Sequence, residues 1–146
     1  LELNIQRSQK ILAAKLLKMK ERNNCLEKIK QGMKIKLKDE RLNNRARYLK
    51  TLRNLILQAM IKLIEPSLLV CCRDDDRSDV QGMLKDIEKE YAKFMADKTG
   101  RSDYSCTLQI LTDKKIEDAQ DDGCGGIVLY TEDRRIVCPN MLSSRL

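Results

Sequence analysis

Between Leu1 and about Glu65 the chain has no proline and a single glycine, Gly32, and it is dominated by Leu, Lys, Arg, Ile, Met and Ala. Such a stretch predicts helix, in one or two long pieces. Within it Ile5, Leu12, Leu16, Met19, Leu26, Ile29, Met33 and Leu37 follow one another at steps of 7, 4, 3, 7, 3, 4 and 4, with charge on the other faces. So narrow an apolar seam predicts a partner helix rather than a broad core. Two steps of 11, Ile5 to Leu16 and Leu26 to Leu37, and a step of 5 to Leu42 depart from a strict heptad, so the period leaves supercoil handedness open. From Leu49 through Leu52, Leu55, Ile56, Met60 and Ile64 the stripe widens until it nearly surrounds the helix, and that end is expected to be buried against a globular domain.

Pro66 is expected to stop the helix, and Leu68 to Arg73 reads as a buried strand. After the charged turn Asp74 to Arg77, Ser78 and Gln81 have the spacing of a capping box for a helix whose apolar positions are Val80, Met83, Leu84, Ile87, Tyr91, Phe94 and Met95. Gly100 breaks the chain, Cys106, Leu108 and Ile110 alternate as a half-covered strand, and Ile127 to Thr131 and Arg134 to Cys138 read as two more. The expected fold is α+β: a long, coiled-coil-forming N-terminal helix over residues 1–65, then a head domain over 66–146 in the order β-α-β-β-β, an antiparallel sheet with a helix packed on one face.

Charge sharpens this division. Residues 1–66 carry 17 Lys and Arg against 6 Asp and Glu, while 67–146 carry 12 against 16, so a basic rod precedes a mildly acidic head. The first residue is Leu, and there is neither an N-terminal apolar run with a cleavage site nor a stretch of about 18 apolar residues, which reads as a soluble fragment cut at one end at least. The six cysteines form no CxxC pair and read as reduced, semi-buried small hydrophobes of a cytosolic protein.

The candidate chemistry is sparse. Histidine is absent, which removes the commonest general base and metal ligand. No Walker A loop, GxSxG or nucleophile–base set occurs, so no catalytic, metal or cofactor residue is assigned. Asp74, Asp75, Asp76 and Asp79 lack the spacing and distal glutamate of an EF-hand and read as a polar turn at a helix N-terminus. Gly123-Cys124-Gly125-Gly126 satisfies GxxG, but it precedes a strand and reads as a turn in which the glycines allow positive φ and close backbone approach. Tyr130 and Phe94 read as core. Lysine tracts such as Lys34-Ile35-Lys36-Leu37-Lys38 leave a basic nucleic-acid-binding module as the alternative function, without aromatic interleaving or a base-reading motif to support it.

Three strings carry a resemblance: Leu63-Ile64-Glu65-Pro66-Ser67-Leu68-Leu69-Val70-Cys71-Cys72-Arg73, Gly125-Gly126-Ile127-Val128-Leu129-Tyr130, and Arg134-Arg135-Ile136-Val137-Cys138-Pro139-Asn140-Met141-Leu142-Ser143-Ser144-Arg145-Leu146. Together with Ile5-Gln6-Arg7-Ser8 and the Lys/Leu run to Arg22, they closely resemble the E subunit of the eukaryotic vacuolar-type (V-type) proton-pumping ATPase, in the right order over nearly the whole chain. Departures are Cys124 for a usual alanine, Thr131-Glu132 for an Asn-Gly type turn, and Lys15 for a usual arginine. The family starts with more helix and ends with a further one, so the chain is expected to be truncated at both ends, with one face of the sheet left uncovered. The resemblance implies a noncatalytic stator: a coiled coil with the small helical G subunit, a globular end seated on the ATP-hydrolysing head near the B subunits, and a place on the cytosolic face of vacuolar and other endomembranes, with membrane contact only through the complex. Without its partner the seam leaves a homodimer of the isolated fragment open.

Overall fold

The structure, a computed structural model, describes residues 2–146; the helical expectation at Leu1 lies outside the described residues. The predicted helical segment forms two pieces, α1 (Glu2–Asn43) and α2 (Arg45–Leu63), with Asn44 between them at φ −126 and ψ 58. Helical bonding nearly survives the break: the Asn44 N–H donates to Glu40 O at 2.9 Å and the Tyr48 N–H donates to Asn44 O at 3.0 Å. The result is an elbow rather than a loop. At the far end α2 stops before Pro66, because Ile64 adopts the left-handed conformation (φ 52, ψ 46) and its N–H caps Met60 O. A β-branched residue there costs roughly 1–2 kcal/mol, so the surrounding packing holds it in place.

Then follow β1 (Ser67–Cys71), a 3-10 turn at Asp74–Asp76, α3 (Arg77–Thr99), β2 (Thr107–Ile110), the short α4 (Asp118–Asp121), β3 (Gly126–Thr131), β4 (Val137–Met141) and a 3-10 turn at Ser143–Arg145. The α+β order β-α-β-β-β stands, with α4 added. One edge of the expected antiparallel sheet differs: the strand order is β2-β1-β3-β4, and β1 pairs with β2 in parallel, Leu68 beside Leu108. A parallel neighbour requires a crossover, and α3 is long enough to supply it. The other two pairings are antiparallel, with Leu69 opposite Tyr130 and Leu129 opposite Cys138.

Both long helices of the domain pack on one face of the sheet. Tyr48, Leu52, Leu55, Ile56, Ala59 and Met60 recur at helical spacing and are buried on α2. Val80, Leu84, Ile87, Tyr91 and Met95 do the same on α3, and these side chains enclose Leu68, Val70, Ile127 and Leu129 from the strands. The wide apolar end of the helical segment is thus buried as expected. Phe94 is not core: it stands on the margin of the α3 face and stays 37% exposed. Tyr130 is half-buried on the opposite sheet face, packed on a smaller cluster of Cys71, Leu111, Ile116 and Val128.

Two local expectations are corrected. Ser78 and Gln81 do not cap α3, which starts at Arg77 after Asp76, and the Asp76 carboxylate makes no cap bond because it is engaged elsewhere. The capping box lies instead at Glu117 and Gln120, ahead of α4. The last strand begins at Val137 rather than Arg134, since Arg134 takes a left-handed φ of 57 and Asp133 accepts hydrogen bonds from the Thr131 hydroxyl and the Arg135 N–H, holding a longer turn.

All six cysteines are free, five of them buried. Burial, reinforced by the Asp76 charge at Cys72 and the Glu88 charge at Cys106, pushes both thiols up from 9.0 to about 11. The folded chain therefore holds protons that the unfolded chain releases between those values. Stability from these thiols is complete below pH 9.0 and is lost as pH rises toward about 11. The combined loss should be roughly 1–3 kcal/mol. Urea midpoints at about pH 8 and about pH 10.5 will show it. The double variant Cys72→Ala, Cys106→Ala should lose less over that interval than the parent chain, and an equal loss would rule the thiols out.

Candidate partner-helix interface

At about 1.5 Å per residue, the 42-residue α1 is a rod of about 63 Å. Only its last turns touch the sheet domain. Of the expected seam, Ile5, Leu12, Leu16, Met19, Leu26, Ile29 and Met33 are all exposed, Leu12 and Leu16 by 57% and Met19 by 63%. Leu37 is half-buried and lines a small cavity of about 200 Å³ with Tyr48, Thr51 and Leu142, in the angle between the two helices. The seam therefore runs free along the rod and ends against the head at the elbow. Its most regular members, Ile5, Leu12, Met19, Leu26 and Met33, stand seven apart, and the next position in that series is Glu40, which pairs with Arg47 at 3.2 Å.

The elbow is fixed by polar groups that sequence reasoning treated as a turn. Asp76 is fully buried; it accepts a hydrogen bond of 2.6 Å from Arg45 Nη1 and one of 2.7 Å from the Tyr48 hydroxyl. Arg45 also donates to Asp79, and to Asp75 O at 3.1 Å. Burial works against the Arg45 charge, but hydrogen bonds to Asp79 and Asp76 outweigh it and raise its pKa. Burial and the Asp76 charge push the Tyr48 phenol far up, so it stays protonated and keeps donating. The remaining acids of the cluster also have protein partners: Asp74 meets Lys115 at 2.9 Å, and Asp75 lies 3.6 Å from Arg41.

A second buried carboxylate shapes the loop on which α1 rests. Asp121 accepts from Arg73 Nη1 at 2.9 and 3.1 Å and from the N–H groups of Gly123 and Gly125 at 2.9 and 3.0 Å. Gly123, Gly125 and Gly126 take φ of 73, 89 and 128, the positive values expected of this turn. The loop then offers Gly123 O to Arg41 Nε at 3.0 Å, and the Gly126 N–H to the Tyr48 hydroxyl at 3.3 Å. Lys34 of α1 meets Asp122 at 2.8 Å. Both helices are thus pinned to one glycine loop and one acidic turn.

A long exposed helix, locked at one end to a small mixed sheet by buried ion pairs, defines a rod-and-head interaction protein. The chain belongs to the ATP synthase (E/31 kDa) subunit family, whose model matches residues 1–146. It is 33% identical over 109 residues to the E2 subunit of the V-type proton ATPase of Arabidopsis thaliana, covering 71% of this chain and 46% of that protein. Similarity extends to the second E-type subunit of the V-type proton ATPase of Bos taurus (28% over 133 residues, 91% of this chain and 54% of that one) and to the E subunit of the Drosophila melanogaster pump (27% over 146 residues, 100% and 60%). The chain spans about half the length of the curated relatives it matches. No helix among the described residues is long and apolar enough to cross a membrane.

Two substitutions test the junction. Asp76→Ala leaves the Tyr48 hydroxyl and the Arg45 guanidinium without their buried acceptor and should cost about 3–5 kcal/mol. In Gly125→Ala, the added Cβ would lie 2.1 Å from the Tyr48 hydroxyl oxygen at a φ of 89; about 3 kcal/mol or more should be lost. Chemical denaturation measures both, and losses below about 1 kcal/mol would mean that the junction is not held this way.

Proposed function

We propose that this chain is a noncatalytic peripheral-stalk, or stator, subunit of a V-type proton ATPase. Residues 1–65 pair with the helical G subunit along Ile5, Leu12, Leu16, Met19, Leu26, Ile29, Met33 and Leu37, and residues 66–146 seat on the ATP-hydrolysing head near the B subunits. The observation that carries this reading is the exposure of seven of the eight seam residues on one rod whose base is clamped by buried ion pairs. A lone helix with such a seam is marginal in water, and pairing supplies both its burial and its stiffness.

A stator transmits torque without doing chemistry, so the demands on the chain are a stiff lever and a joint that does not slip. α2 carries the end of the helical segment into the core of the head, and the Asp76 and Asp121 groups resist rotation about the elbow. The head's place on the complex puts the chain at the cytosolic face of vacuolar and other endomembranes, held there through its partners.

Light scattering of the chain mixed with the G subunit should give a one-to-one complex that survives moderate salt, because an apolar seam is little screened, whereas phosphate binding falls by orders of magnitude over the same range. The pair Leu16→Asp, Met19→Asp should abolish that complex with the fold intact by circular dichroism. Unchanged pairing would refute the seam, and salt-sensitive RNA binding without any complex would favour the nucleic-acid alternative.

A further inference from the structure

The entire formal charge of +7 resides in α1, which carries twelve Lys and Arg against five Asp and Glu, leaving the rest of the chain neutral. Their placement relative to the seam is specific. Three residues after each member of the sevenfold series Leu12, Met19, Leu26 and Met33 stand Lys15, Arg22, Ile29 and Lys36, so one shoulder of the seam is cationic at three of these four positions and apolar at the fourth, where Ile29 joins the seam. Among the described residues Lys15, Arg22 and Lys36 make no ion pair: Glu40, one turn beyond Lys36, is taken by Arg47 at 3.2 Å, and Glu27 is turned toward Lys30 at 3.6 Å. A helix that covers the seam must bring its own side chains against these three cations, and burying them unpaired is costly.

A second copy of this chain is poorly suited to the seam, since it would set against them the same cations, or the other shoulder, where Lys20 and Lys34 flank Glu27 as the one acid. The geometry points to a partner of opposite sign: an amphipathic helix with an apolar stripe flanked by Asp or Glu at heptad spacing, whose acids meet Lys15, Arg22 and Lys36. This rests on the stalk reading for the existence of a seam partner and adds the chemistry by which the seam selects it. Charge at such flanking positions sets partner choice and orientation more than total affinity.

The test uses the full chain and two synthetic helical peptides of equal length and identical apolar stripe, one with Glu and one with Lys at the flanking positions, followed by fluorescence anisotropy. The Glu peptide should bind about tenfold tighter at low salt, with the advantage shrinking at high salt. In the variant Lys15→Glu, Arg22→Glu, Lys36→Glu the preference should reverse. Equal binding of the two peptides, abolished by Leu16→Asp, Met19→Asp, would keep the seam and overturn the acidic partner. Binding of neither peptide would overturn the seam itself. Glu-peptide binding that survives the two Asp substitutions would mean general attraction to a basic rod, and would also overturn the proposal.

Discussion

A single carboxylate decides how the halves of this molecule sit together. Asp76 has no exposed surface, and it is held by groups from α2, a helix that begins 31 residues earlier in the chain. A buried anion is tolerable only with strong partners, and Tyr48 and Arg45 are placed to be those partners only if α2 lies across the sheet at one angle. The same phenol then accepts the Gly126 N–H at the start of β3. One acid thus ties together the start of α2, the start of α3 and the central antiparallel strand. Asp121 repeats the device beside it, fixing the loop whose carbonyl takes Arg41. Remove either carboxylate and the rod loses a defined direction relative to the head, although the apolar core would survive.

The arrangement separates two kinds of stability along one helical segment. α2 is held by burial, with Leu52, Ile56 and Met60 wholly enclosed. α1 has no such support beyond its last turns, where Lys34 and Arg41 reach the glycine loop. The elbow at Asn44 marks the boundary between them, and its near-continuous hydrogen bonding means that a bend there costs little backbone energy. Direction is therefore set by side chains and not by the helix itself, which is what a lever fixed at its base requires.

Much of this was legible because it is local. The faces of α2 and α3 and the glycine turn each follow from spacing or from the φ values a residue type allows. The missed features are non-local. Nothing near Thr107 announces that β2 will lie parallel to β1, since that pairing is set by where α3 delivers the chain. Asp76 sits in a run of three aspartates that looks like a solvated cap, and only Arg45 and Tyr48, far away in sequence, make it a buried anchor. Ser78 and Gln81 had the spacing of a capping box, but the helix start was already fixed by that anchor. Phe94 had the right period for the core and falls on its margin, because Tyr91 and Met95 already fill the face.

The treatment of the sheet edges gives the exposed seam its meaning. On one edge strand, β4, Pro139 withholds a backbone donor; on the other, β2, Glu88 takes the Leu108 N–H at 2.7 Å. Both are ways of keeping a sheet from recruiting another strand. A chain that closes its strand edges in this way yet leaves Leu12, Leu16, Met19 and Ile29 more than half exposed along a rod is not careless of apolar surface. Isolated surface leucines need no explanation, but a periodic row bordered by unpaired cations is specific in shape and charge. Edges blunted in this way leave the rod as the surface open to association, and on the stalk reading proposed above the partner that covers it is a helix.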